Sequence, residues 1–428
     1  MASDAPALEA DVRPREVWSW AMYDFANSGY TTVVITAVFN AYFVSVVAGK
    51  AQWATFAWTA ALSISYALIM LSAPLVGAYA DVHAAKKRLL LLTTVGCVGG
   101  TALLGLAGPG DLWLACLLIV LSNFFYGTGE NVVAAFLPEL ARGEALGKVS
   151  SWGWSLGYIG GLVSLAACLA YVKWAQAHGH AAHQFVPVTM LITAAIFAIA
   201  SLPTFLFLKE RAVAHKTARG TYVRALSRVL ETVSDARRYR DLSRFLICIV
   251  LYQSGVQTVI ALAAIYAEQE MKFTTERTLM LILVVNVTAS VGALLFGYLQ
   301  DKLGHVKTIA LTLIGWCLMV LIAWSSASVG SFWVAANLAG VCLGASQSAG
   351  RALVGYLSPA DRRAEFFGLW GLAVKLASIL GPITYGAVTW ASANDHRLAM
   401  LVTGTFFVLG LLVLGGIDAS RGRRAAAE

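Results

Sequence analysis

Charge is scarce in this sequence. Only 13% of its 428 residues are Asp, Glu, Lys or Arg, about half the share of a typical water-soluble domain. That excludes a soluble enzyme or a soluble binding module. Cysteine is sparse too. The six present, Cys97, Cys116, Cys168, Cys248, Cys317 and Cys342, all fall inside apolar runs. They read as small buried residues and exclude a disulfide or zinc framework. A cleavable signal peptide is missing, because Met1 to Glu16 is polar and holds Asp4, Glu9 and Asp11. No Gly-x4-Gly-Lys-Ser/Thr loop occurs, which argues against direct ATP drive. No nucleophile–base pair or metal-ligand cluster falls at membrane depth, so an enzyme is not expected, nor any cofactor or metal.

What is present is apolar: 59% of the residues are hydrophobic, with a mean hydropathy of +0.71. A membrane-crossing helix needs about 20 mainly apolar residues. Twelve runs meet that need: Val17–Val47, Thr55–Ala80, Leu89–Leu106, Leu112–Pro138, Lys148–Tyr171, Phe185–Leu208, Phe245–Ala267, Thr278–Gln300, Thr308–Trp324, Ser331–Leu357, Phe366–Thr389 and Leu398–Gly416. The expected class is an all-α integral membrane protein. Its organisation reads as an N-terminal six-helix half over 1–208, a central loop over 209–244 and a C-terminal six-helix half over 245–428.

The net charge of +8 is no nucleic-acid signature, because the basic residues sit in the loops between spans. An even span count puts both termini on one side. That side, with the central loop, carries 24 basic residues, and the other has five: Lys50, Lys173, Lys272, Arg277 and Arg397. Positive loops stay inside, so both termini and the central loop are expected on the cytoplasmic side. Tyr222, Ala225, Leu226, Val229 and Val233 give the central loop either a surface amphipathic helix or a solvated linker. His178, His180 and His183 mark a short polar loop or a metal site, and the polar loop is favoured.

The first span opens on Trp20-Ala-Met-Tyr-Asp-Phe-Ala-Asn-Ser-Gly-Tyr30. On a helix, Asp24, Asn27 or Ser28, and Thr31 share one face, and Tyr23, Asn27 and Tyr30 overlap it. A charge facing lipid costs about 2.5–3.5 kcal/mol on insertion scales. This face therefore turns inward, as a helix-locking seam or as the lining of a solute path. The stretch returns as Gln253-Ser-Gly-Val-Gln-Thr-Val-Ile-Ala261, with Asn27 on Gln253 and Gly29 on Gly255. In that register Asp24 meets Val250, so the acid belongs to the first copy only. Repeats of this kind mean two related halves.

Three more pairs of segments match. Gly77 and Asp81 end the second span before Lys86 and Arg88, and Gly297 and Asp301 end the eighth before Lys302 and Gly304. The glycine invites close helix approach, and the aspartate can pair with loop cations or cap the next helix. In the first copy Val82 stands for the basic residue and Ala84 for the second glycine. Gly129-Glu130 matches Gly350-Arg351, which makes Glu130 and Arg351 symmetry mates of opposite charge. Each lies eight residues before a proline, about 12 Å deep at 1.5 Å per residue. In the fifth and eleventh spans Gly160 matches Gly381 and Trp154 matches Lys375, a lysine near mid-membrane.

The doubled Gly-x3-Asp loop resembles the cytoplasmic loop signature of the major facilitator superfamily. Trp20–Tyr30, Asn131-x6-Pro138-Glu139-Leu140, the run from Ser151 through Gly157 to Gly161, Gln347-Ser-x2-Arg351 and Glu365-Phe-Phe-Gly368 narrow the resemblance. Together they look like the autophagy-related vacuolar amino-acid effluxers and their bacterial members. The resemblance implies the major facilitator fold, twelve helices in two pseudo-symmetric halves, with spans one, four, seven and ten lining a central cavity. It also implies amino-acid export.

The expected function is secondary transport of a small polar or zwitterionic, amino-acid-like solute by alternating access, with protons as coupling ion. Asp24, Asn27, Tyr30, Glu130, Asn131, Tyr252, Gln253, Gln257, Arg351 and Lys375 are the expected substrate or proton pathway. Two readings of the charges stand side by side. Either they hold the two ends of a zwitterion, or Glu130 and Arg351 pair as a structural or gating bridge. Proton-coupled export of a drug or metabolite or import of a larger solute, and a membrane receptor or scaffold, are the competing functions. The partners expected are a small-molecule substrate, protons and membrane lipid, and the chain is read as a monomer.

Overall fold

The structure is a computed structural model that describes residues 8, 11–140, 146–211, 239–326, 328–358 and 363–426. The proposed amphipathic segment around 222–233 lies outside the described residues. Among them, twelve helical stretches are long and apolar enough to cross a membrane. In hydrocarbon every backbone polar group must be satisfied within the protein, and a helix does this within one segment.

The first span is α1 (Pro14–Tyr30), a π-helical stretch (Thr31–Ala37), the short α2 (Phe39–Tyr42) and a second π-helical stretch (Phe43–Val47). The sequence had suggested one uninterrupted helix over Val17–Val47. The widened winding shifts backbone partners, and Asn40 repairs the break. Its amide donates to the Thr36 carbonyl at 3.0 Å and its oxygen accepts from the Ala41 N–H at 2.7 Å. The chain continues through α3 (Ala54–His83), α4 (Lys86–Leu104), α5 (Leu112–Ala134), a turn α6 (Leu137–Leu140), α7 (Leu146–Ala177) and α8 (Ala182–Phe207). It resumes with α9 (Arg240–Gln269), α10 (Thr275–Leu303), α11 (His305–Ser325), α12 (Val329–Leu357), α13 (Arg363–Ala391), α14 (His396–Leu414) and α15 (Ala419–Ala425).

Internal packing divides the chain into two compact units. One is Met1–Gly49 with Leu68–Leu226, and the other is Lys50–Ala67 with Ser227–Glu428. In the first, α1 packs on α7 and α8, and α4 on α5. In the second, α9 packs on α13 and α14, and α12 on α10 and α11.

Glycines set how closely these helices meet. A Cβ on Gly160 of α7 would collide with the Phe25 carbonyl group, its carbon 2.6 Å away. Gly381 of α13 meets the Ser254 backbone of α9 in the same way. Gly77 behaves otherwise. Among the described residues no atom lies within 4 Å of the place its Cβ would take, so they make no close approach at this glycine.

The loop expected to carry a glycine at 84 and 304 is built differently in its two copies. Gly304, with φ 84°, closes α10 and opens α11. Ala84 adopts φ 47° at the corresponding turn between α3 and α4. That left-handed conformation costs an L-residue about 1–2 kcal/mol and glycine far less. Ala84→Gly should therefore raise stability by about 1 kcal/mol and the apparent Tm in detergent by about 2 °C. An unchanged or lower Tm would show that Ala84 is unstrained.

Segments flanking the central loop are held tightly. The Glu210 carboxylate accepts from the backbone N–H groups of Lys86 at 2.6 Å and Lys87 at 3.1 Å. Glu210 thus caps α4, because the chain leaving α8 passes the free N–H groups of α4. The side chains of Asp81, Asp301 and Lys302 lie outside the described set. Lys86 pairs with Glu139 at 2.9 Å, and Arg211 with Glu16 at 2.9 Å. In the second unit Arg421 of α15 grips Asp241 of α9 with two bonds of 2.6 and 2.7 Å. The Ser420 hydroxyl and the Arg421 and Ser420 N–H groups hold the Asp418 carboxyl below its usual range.

Candidate functional site

The polar face of α1 divides between two neighbours. Asp24, Ser28 and Thr32 turn toward the glycines of α7. Gly153 lies against the Asp24 carboxylate and the Trp20 ring, Gly157 against the Ser28 hydroxyl, and Gly161 against the Thr32 hydroxyl. The Ser28 and Thr32 hydroxyls donate to carbonyls one turn back, Asp24 and Ser28, at 2.8 and 2.9 Å. This part of the face is a helix-locking seam that also contains a half-buried acid.

Tyr23 and Tyr30 turn the other way and are fully buried. The Tyr23 hydroxyl shares a hydrogen bond with Thr94 at 3.1 Å, and that of Tyr30 with Ser122 at 2.9 Å. Tyr30 stacks on Tyr126 of α5, ring centroids 5.0 Å apart, and the Tyr126 hydroxyl reaches the Glu130 carboxylate at 3.5 Å. Tyr30 and Glu130 are therefore brought together through Tyr126, a residue the sequence had not singled out. Its signal was present as an aromatic four residues before the acid, hence on the same helix face. Asn27 is buried, with its side-chain oxygen unpaired, and Asn131 is exposed beside Glu130.

In the second unit Gln253 is buried and donates to Gln347 of α12 at 2.9 Å, while its own oxygen has no partner. Arg351, one turn beyond Gln347, lies over the Trp370 ring at 5.3 Å. Tyr252 is fully buried, its hydroxyl against Gly350, and Gln257 is half-buried. Lys375 of α13 sits over the Tyr66 ring at 5.6 Å. Trp370 and Tyr66 escape a sequence reading because aromatics are common on every span.

The contacts correct the register of the repeat. Gly129 abuts the Tyr23 hydroxyl, and Gly350 abuts that of Tyr252. Gly160 abuts the Phe25 carbonyl, and Gly381 that of Ser254. Both glycine pairs are 221 residues apart, and the residues facing them are 229 apart. The sequence match had set α1 on α9 at 226. Three residues turn a helix through about 300°, so the false register nearly restores the same face. In the true one Asp24 corresponds to Gln253, not Val250. At the matching offset of 221, Tyr126–Glu130 corresponds to Gln347–Arg351. Each unit thus carries, on corresponding helices, a polar residue followed one turn later by a charge, negative in the first and positive in the second.

Among the described residues no three His, Cys, Asp or Glu side chains are grouped to hold a metal ion. His178 and His180 instead pack against Trp174, at 4.5 and 5.9 Å between ring centroids.

A family model described as vacuole effluxer Atg22 like matches residues 40–147 and 144–427. The chain is similar to the uncharacterized MFS-type transporter YxiO of Bacillus subtilis, 28% identical over 410 residues, covering 92% of this chain and 93% of that one. It is 24% identical to autophagy-related protein 22 of Kluyveromyces lactis over 383 residues, covering 80% and 75%. A D-xylose-proton symporter superposes with a TM-score of 0.72 at 14% identity, covering 95% and 99%. The nucleoside transporter NupG gives 0.70 at 13%, covering 94% and 99%. These last two likenesses speak to the fold alone. With twelve apolar helices, two related units and a family match running from residue 40 to residue 427, the chain belongs to the vacuole effluxer Atg22 like family and is a multi-pass membrane transporter of the major facilitator fold.

Proposed function

We propose that this transporter moves a small zwitterionic, amino-acid-like solute by alternating access, coupled to protons. The observation that carries the reading is the opposed pair of charges at corresponding places, Glu130 on α5 and Arg351 on α12. A buried carboxylate favours an ammonium and a guanidinium favours a carboxylate, each through charge-assisted hydrogen bonds. Asp24 and Lys375 add one charge of each sign. A carboxyl at membrane depth is also the group best suited to take up and release a proton near neutral pH. The family's description supports efflux as the direction. The loop charges support termini facing the cytoplasm of a bacterial inner membrane. Labelling of a cysteine placed at Thr274, but not of one at Ser234, from outside intact cells checks that orientation.

Flux in proteoliposomes tests the function. With an imposed pH gradient, radiolabelled amino acids should be taken up by vesicles holding the protein, while sugars and nucleosides should not. Folded protein that carries no amino acid under any gradient would refute the reading.

A further inference from the structure

Phe124, Phe125 and Tyr126 follow one another on α5, and only the last carries a hydroxyl. Phe125 shows what packing alone asks for here, since its ring fills the space over Gly96 of α4. The Tyr126 ring is fixed by α1. It stacks on Tyr30 with centroids 5.0 Å apart, and Tyr30 is fully buried and tied through its own hydroxyl to Ser122 at 2.9 Å. A phenylalanine would make the same stack. The Tyr126 hydroxyl therefore serves something other than packing, and what it reaches is the Glu130 carboxylate, one turn along the same face, at 3.5 Å.

The second unit repeats the arrangement with different chemistry. Gln347 stands one turn before Arg351 and is held by Gln253 of α9 at 2.9 Å. In each unit, α1 or α9 grips the polar side chain that precedes the charge. A hydroxyl donated to a carboxylate favours its charged form, and more so where water is scarce. Tyr126 and Glu130 also have other interactions, and at 3.5 Å this bond is long. The hydroxyl is thus one support among several, and its removal should shift a balance rather than abolish the site.

We propose that Tyr126 is a positioning residue for Glu130: held by Tyr30, its hydroxyl orients the carboxylate and keeps it charged for the ammonium end of the solute. The proposal rests on the reading above that Glu130 receives an ammonium. It adds the residue that sets how well a proton competes with that ammonium.

The test measures the apparent KM for exchange of an equimolar radiolabelled mixture of the common L-amino acids. Proteoliposomes hold the full chain at equal pH on both sides, mildly acidic in one series and mildly alkaline in the other. Tyr126→Phe keeps the stack on Tyr30 and loses the hydroxyl. In acid its KM should rise roughly threefold to tenfold, the worth of one hydrogen bond, because a proton displaces the ammonium more readily. In alkali it should match the parent, because the carboxylate is charged in both. A mere loss of packing would raise KM equally at both. Tyr126→Gln, which restores a donor one turn before the acid, should stay closer to the parental KM in acid than Tyr126→Leu.

Titratable side chains on the neighbouring helices are Tyr23, Asp24 and Tyr30 of α1, Cys97 of α4 beside Tyr23, and Lys86 of α4, which is engaged by Glu139. By their ordinary values the tyrosines, the cysteine and the lysine do not titrate between mild acid and mild alkali. Asp24 is common to the parent and every variant. A parental KM for Tyr126→Phe in acid, or an equal rise in both series, overturns the proposal, and so does a Tyr126→Gln no better than Tyr126→Leu. Any of these, in a series where the parent exchanges amino acids, leaves the transport reading standing. A parent that exchanges none refutes that reading and this proposal with it.

Discussion

Alanine at Gly160 should remove most of the folded protein. The added Cβ would sit on the Phe25 carbonyl group, with its carbon at 2.6 Å and the Phe25 Cα at 2.7 Å. These are backbone atoms of α1, so no rotamer change relieves the overlap, and α7 must move away from α1. Overpacking a core typically costs about 1–3 kcal/mol, and more where neither side can yield. The separation would also open the contacts of Gly153, Gly157 and Gly161, which line the same seam. Total stabilities are only about 5–15 kcal/mol, so Gly160→Ala should be recovered in low yield with a Tm far below the parent's. Gly381→Ala should behave alike, because its Cβ meets the Ser254 carbonyl group. Gly77→Ala is the control, since its Cβ would enter open space. Thermal unfolding of the three purified proteins decides the matter, and a parental Tm for Gly160→Ala would refute this account of the helix contact.

Asp24→Asn should fold and yet lose transport. The corrected register supplies the first half of that expectation. The corresponding place in α9 holds Gln253, so the architecture accepts an amide there. Asparagine also keeps the shape that fits against Gly153 and Trp20. What it loses is the negative charge and the ability to bind a proton. Insertion of a charged side chain into a membrane helix costs about 2.5–3.5 kcal/mol, and its presence here calls for a function. Uptake driven by a pH gradient should fall to background in proteoliposomes. Exchange of solute across the membrane without a gradient then separates the two possible roles of the acid. Exchange that survives assigns Asp24 to proton coupling, and exchange that fails assigns it to solute binding. Gradient-driven uptake at the parental rate would refute both.

The sequence by itself determined the class, the spans and the existence of two related halves. Hydropathy is a sum over neighbouring residues, so the twelve crossing helices were legible without knowing what each one touches. The glycines of the fifth and eleventh spans were legible as close contacts for a related reason, since a missing side chain invites approach whatever the partner.

Tertiary structure alone decided which faces meet. The repeat register slipped by three residues because helical periodicity nearly superimposes neighbouring positions, and only the glycine contacts across to α5, α7, α12 and α13 fixed it. Glu210 could not be read as the cap of α4, because their proximity depends on where the chain leaves α8. The division of α3 between two units left no trace in its even hydropathy. The link from Tyr30 through Tyr126 to Glu130, and the seating of Lys375 on Tyr66, also came only from packing. A sequence pattern reports the faces of one helix, whereas the partner across each face is set by how closely two backbones can approach.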